Sequence, residues 1–144
     1  MGPLLKRVKN CLKIIAAGLI LLHLVISFLH GQSHSGADVA LTRFGYAYVL
    51  IVITLAPLVA GILLWLRRQK LGALLLAVSM LGSFVFGAWY HFIAAGNDNI
   101  AEVHGPWHST FVWTAAALAV LELLGALTGV LILFQKDQPV VRQA

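Results

Sequence analysis

The sequence predicts an all-α membrane protein: four transmembrane helices in an up-down antiparallel bundle, with the N and C termini cytoplasmic. Three observations point there. Of 144 residues, 60% are hydrophobic and only 10% are charged; the apolar residues fall into four long runs; and the basic residues are confined to alternate connections. A chain this long holds one domain of about 100–200 residues. The expected unit is therefore a single four-helix transmembrane domain over residues 1–144, with no room for a separate soluble catalytic domain.

Crossing a hydrocarbon core of about 30 Å takes about 20 apolar residues at about 1.5 Å per residue. The runs that meet or approach this are residues 13–30, 44–66, 71–93 and 107–134. Helices follow because unpaired backbone N–H and C=O groups are not tolerated in lipid, and the alternating pattern of a barrel is missing. The first run, with Lys6, Arg7, Lys9 and Lys13 ahead of it and Ser35-Gly36-Ala37 beyond it, also looks like a secretory signal. Its apolar stretch exceeds the roughly 7 to 15 residues of a signal core, which favours an uncleaved helix.

Orientation comes from the cations. Lys6, Arg7, Lys9 and Lys13 precede the first run, Arg67, Arg68 and Lys70 separate the second and third, and Lys136 and Arg142 follow the fourth; Arg43 alone lies on the other side. The positive-inside rule then places both termini in the cytoplasm of a multi-pass protein of the cell inner (plasma) membrane, with the connections 31–43 and 94–106 facing outward. The net charge of +5 is thus a topological signal, and no nucleic-acid partner is expected. Cys11 has no second cysteine to pair with.

Within the helices, Pro57 is expected to kink the second and Pro106 to occupy the first turn of the fourth. Gly125 and Gly129, like Ser83 and Gly87, are small pairs four apart that let helices approach. Trp65, Trp107 and Trp113 fit interfacial belts, although the outer aromatic cluster could also wall a flat cofactor.

Candidate chemistry lies in the histidines. His30, His34, His91, His104 and His108 all fall near the outer face, joined by Asp38, Asp98 and Glu102. Neutral imidazole suits copper, zinc and iron, so these five histidines are candidate metal ligands. His30 and His91, on parallel spans at similar depth, are also a candidate axial pair for haem b. His104 and His108 are four apart, but Gly105-Pro106 between them keeps His104 ahead of the helix. Interfacial histidines that only bond water and loops are the plain alternative.

Deeper in the membrane, His23, Ser27, His30 and His34 form one stripe of the first helix. His23 is roughly 15 Å and Glu122 roughly 21 Å from the cytoplasmic charges. Ionisable groups in a bilayer need partners, so His23 and Glu122 are expected to pair across the first and fourth helices, as a proton relay or a helix clamp. Asn97-Asp98-Asn99 lacks the spacing of a calcium loop and reads as an Asx turn. No phosphate loop, nucleophile elbow or H-E-x-x-H motif occurs.

The functional expectation is a small membrane protein that holds haem or a transition-metal ion at its outer histidine cluster and serves electron transfer, metal handling or linked proton movement. Two others stand beside it: a cofactor-free accessory subunit of a larger membrane complex, and an oligomeric proton-coupled carrier or channel. The expected partners are the lipid bilayer and either other membrane subunits or further copies of the chain.

Overall fold

The computed structural model describes residues 2–135 and is helical, with no strand among those residues. Of the cations used for orientation, Lys136 and Arg142 lie outside the described residues, and Lys6 is described in its backbone only. Four helices are long and apolar enough to cross a membrane by length and composition, which marks the chain as a multi-pass membrane protein. They are α1 (Gly2–Gly36), α2 (Arg43–Trp65), α3 (Gln69–Ile93) and α4 (His108–Leu133).

The ends of these helices differ from the sequence expectation in ways that matter. α1 continues past residue 30 into the expected 31–43 connection and ends at Gly36, which carries His34 onto the helix one turn beyond His30. Thr42 caps α2, its hydroxyl accepting from Gly45 N–H at 3.0 Å, as short polar side chains do at helix starts. Pro106 lies ahead of α4 rather than in its first turn. Gly105 takes φ +91°, and the amide of His108 bonds back to the Gly105 carbonyl at 3.2 Å. The chain is therefore still turning at Pro106.

Pro57 has no N–H and cannot close an ordinary helical turn onto the preceding residues. The irregularity appears just before it as a π-helical turn over Val49–Leu55. There the hydroxyl of Thr54 donates to the Val49 carbonyl at 2.9 Å. Such one-residue insertions are rare and concentrate at functional sites. A second occupies Trp89–Ile93 at the end of α3.

Packing divides the bundle into two halves. At the basic end, the core is mainly apolar: Ala16 and Ile20 of α1, Ala60 and Leu64 of α2, Ala73, Leu76 and Met80 of α3, and Ala126 and Ile132 of α4, with Ser79 and Thr128 buried beside them. Helices approach closely here because small residues line the contacts. A Cβ at Gly129 would lie 2.7 Å from the Ala77 nitrogen and 2.8 Å from the Ala73 oxygen, and one at Gly72 would lie 2.7 Å from the Leu64 nitrogen. Gly125 and Gly129 thus form a seam against α3, whereas Gly87 opens on a cavity.

At the other end, buried polar groups take over: His23, His30, Ser33, His34, Ser83, His91, Thr114 and Glu122. A small apolar cluster of Val39, Val103 and Phe111 closes that end. α3 packs along α4 and α2, and α1 along α4, but α1 touches α2 chiefly at Ala56–Trp65. At the polar end, α1 and α2 therefore part. The outward surface is studded with Leu, Val, Ile and Phe, as lipid contact requires.

The close approach at Gly129 gives a direct expectation. Gly129→Ala forces a methyl against α3 backbone and should destabilise the protein by about 1–3 kcal/mol. Gly18→Ala, where nothing lies within 4 Å of the added carbon, should be neutral or stabilise by up to about 1 kcal/mol. Thermal unfolding in detergent, followed by circular dichroism, compares the two.

Candidate metal centre

Three helix ends meet at the polar end of the bundle. His30 and His34 are one turn apart on α1, and His91 lies in the π-turn of α3, whose extra residue turns its side chain toward α1. His30, His34 and His91 are 7%, 8% and 7% exposed. His30 Nε2 lies 3.1 Å from His91 Nε2 and 3.2 Å from His34 Nε2. One ligand atom from each ring falls within 4.8 Å of the others, the arrangement of a group able to hold a metal ion. An ion coordinated tetrahedrally at about 2.0–2.1 Å keeps its ligands about 3.3 Å apart, close to two of these edges.

The opposite nitrogen of every ring is tied to an acceptor. His30 Nδ1–H donates to Thr114 Oγ1 at 2.8 Å. That hydroxyl's one proton is already directed at the Thr110 carbonyl, 2.6 Å away. His34 Nδ1–H donates to the Val39 carbonyl at 3.3 Å. His91 Nδ1–H donates to the Asp98 carbonyl at 3.0 Å, with the Asp98 carboxylate oxygen Oδ1 3.1 Å away. A carbonyl can only accept, so each neutral ring carries its proton on Nδ1.

With all three rings neutral, three Nε2 lone pairs are turned on one another; a proton taken up on one Nε2 would instead make the 3.1 Å and 3.2 Å contacts hydrogen bonds. Neutral rings in this arrangement repel, and a cation among them relieves the repulsion. Oxygen acceptors behind the rings are the usual way proteins fix metal-bound histidines in orientation and tautomer. Asp98 Oδ1 is buried without a hydrogen bond and lies 3.4 Å from His34 Nε2, supplying negative charge beside the group.

Apolar packing holds the rings in place. Phe111, fully buried, packs its ring 4.9 Å from those of His30 and His34 and 5.4 Å from that of His91. The 94–106 loop folds over His91, the amide of Ile100 donating to the His91 carbonyl at 3.0 Å. Asn99 shapes that loop, its side-chain oxygen accepting from the Ala101 amide at 3.0 Å, the Asx turn expected for this stretch.

The other two candidate ligands stand elsewhere. His104 is exposed, and His108, also exposed, donates from Nδ1 to the Val103 carbonyl at 2.6 Å. The turn at Gly105 separates both from the trio. Sequence reasoning had no role for Thr114 or Phe111, although it counted Asp98, with Asp38 and Glu102, among the carboxylates that could join the histidines as ligands. No spacing signal links these residues, because they come together only through packing.

Below the trio, His23 Nε2 lies 3.3 Å from Glu122 Oε1, joining α1 to α4 where the apolar core begins. His23 is fully buried and Glu122 3% exposed. Between this pair and the trio lies a cavity of about 420 Å³, lined by His30, His34, His91, Ser27, Gly87 and Glu122 among others. Comparison with known proteins finds no matching family, no similar curated protein and no similar solved structure. The functional reading rests on the geometry alone.

Thr114→Val keeps the shape but removes the acceptor behind His30. Metal affinity should fall about 10–100-fold with stoichiometry intact, as measured by competition with a chelating dye. His104→Ala and His108→Ala should leave affinity unchanged in the same assay.

Proposed function

We propose that this is a membrane metal-binding protein in which His30, His34 and His91 hold one first-row transition ion through Nε2. The observation that carries this reading is the shared tautomer: three buried rings commit their protons to Thr114, Val39 and Asp98 and turn three lone pairs on one point. Neutral imidazole is a good ligand for zinc, copper and iron. Three protein ligands beside a cavity also describe a centre with a coordination position left for exchange or for a small ligand, which suits metal handling better than a closed structural site.

The same geometry favours a bare ion over haem b. An axial pair must stand apart by the iron and its flat macrocycle, whereas His30 Nε2 and His91 Nε2 are 3.1 Å apart with their rings at 84°. Electron transfer remains compatible with copper or iron in the trio. With both termini cytoplasmic, as the distribution of cations supports, the centre belongs to the outer face.

We assign the His23–Glu122 pair a clamping role. It joins α1 to α4 directly above a mainly apolar core, in which the buried hydroxyls of Ser79 and Thr128 bond to backbone carbonyls of their own helices.

Purified protein should contain about one equivalent of zinc, copper or iron by elemental analysis, and His30→Ala, His34→Ala or His91→Ala should each abolish it. Metal-free wild-type protein that also fails to bind added metal would overturn the proposal. Binding should weaken as pH falls, because protons compete for imidazole. Glu122→Ala should lower stability by about 0.6–1.7 kcal/mol, and Glu122→Gln, which still accepts from His23, should retain most of it in thermal unfolding.

A further inference from the structure

The cavity beneath the trio is larger than an ion needs, and Glu122 at its floor has a carboxylate oxygen to spare. Oε1 accepts from His23 Nε2–H at 3.3 Å. Oε2 makes no hydrogen bond with the described residues, although Glu122 is only 3% exposed. That oxygen borders the cavity beside Gly87, where an added methyl would stand 3.9 Å from it. Glycine therefore leaves the approach to Oε2 clear.

His23 does not cancel the charge of the carboxylate. Its Nδ1 is buried with no partner, and an imidazolium would put a second N–H there with nothing to accept it, which buried donors rarely tolerate. His23 is thus neutral and gives its one proton to Glu122 through Nε2. The other carboxylates of the lining are Asp38 and Asp98, and the lining contains no lysine or arginine. An ionised carboxylate buried without a counter-charge is costly, so the cavity suits a cation and repels a fatty-acid carboxylate or a lipid phosphate.

The walls decide which kind of cation. A bare hard ion such as calcium takes about 6–8 oxygens, whereas much of this cavity is walled by Val49 and Ile53 of α2, Phe86 of α3 and Leu118 of α4. Ser27 adds one hydroxyl, buried and without a partner. A serine in a helix normally returns its hydroxyl to a carbonyl one turn back, as Ser83 does here. Apolar walls over a single unpartnered carboxylate oxygen fit an organic cation with an N–H head and a hydrocarbon body. The body also has a way in, because α1 and α2 meet chiefly along Ala56–Trp65 and part beside the cavity. An added Cβ at Gly31, on the α1 wall, would touch nothing within 4 Å, so this side faces lipid.

We infer that the cavity is a binding site for a membrane-dissolved primary amine, its ammonium group donating to Glu122 Oε2 and its alkyl part lying along the apolar walls toward the parting of α1 and α2. The site does not require the ion to be bound.

Hexylamine, protonated near neutral pH, serves as the probe, titrated calorimetrically into the full chain in non-ionic detergent micelles, with metal and after chelation. One saturable site per chain is expected in both states. Hexanol and hexanoate, which lack the positive charge, and hexyltrimethylammonium, which lacks an N–H, should each bind at least about tenfold more weakly. Glu122→Gln, which still accepts from His23, should weaken hexylamine about tenfold or more with metal stoichiometry unchanged. Wild-type affinity in Glu122→Gln overturns the site. So does hexanol or hexyltrimethylammonium that binds as tightly as hexylamine, a comparison that needs no variant. Displacement of hexylamine by an equal concentration of sodium or magnesium would reveal a site for inorganic cations and would equally overturn the proposal. Binding seen only with metal present would mean that the amine ligates the ion, and the assignment to Glu122 fails. Saturable hexylamine binding by a protein that never takes up metal would sink the metal assignment and leave this one standing.

Discussion

Repulsion among three imidazole lone pairs is the constraint around which the polar end of this bundle is organised. Buried nitrogens that all accept cannot satisfy one another. The chain nevertheless fixes His30 Nε2 3.1 Å from His91 Nε2 and 3.2 Å from His34 Nε2, securing each ring from behind with a threonine hydroxyl or a backbone carbonyl. The arrangement is stable when positive charge occupies the common point. In a low-dielectric interior such an interaction is strong, and the negative oxygen of Asp98 beside it limits the charge left uncompensated.

The rest of the molecule supplies what that arrangement needs. The glycine seam at the basic end brings α3 and α4 into backbone contact, and a rigid apolar core there fixes the helix directions that make three distant residues converge. Because small residues do this where lipid offers no hydrophobic drive between helices, the polar end is free to be irregular. Its irregularities are the two π-turns, the parting of α1 from α2, and a cavity large enough for a small molecule. Stability and chemistry are thus assigned to opposite halves of one bundle.

The architecture was legible in the sequence to the extent that bilayer thickness dictates it. The four apolar runs at 13–30, 44–66, 71–93 and 107–134 correspond to the four helices, although α1 runs further in both directions. Depth counting brought His23 and Glu122 to similar levels, and they lie 3.3 Å apart. Five outer histidines were indistinguishable by depth, and what separates them is local backbone. Helix α1 persists to Gly36 and carries His34 beside His30, while positive φ at Gly105 leads the chain away at His104. Thr114 and Phe111 were invisible as site residues, since an ordinary threonine and phenylalanine acquire roles only through the partners that packing gives them.

The π-turn at Trp89–Ile93 has a further consequence. An α-helix advances about 100° per residue, so one extra residue rotates everything beyond it by more than a quarter circle relative to an uninterrupted helix. His91 and the loop that brings Asp98 back over it share that rotation. A single backbone insertion therefore sets both the direction in which a ligand nitrogen points and the place where its supporting oxygen returns. In a lineage of such chains, the two features would be gained or lost in one step.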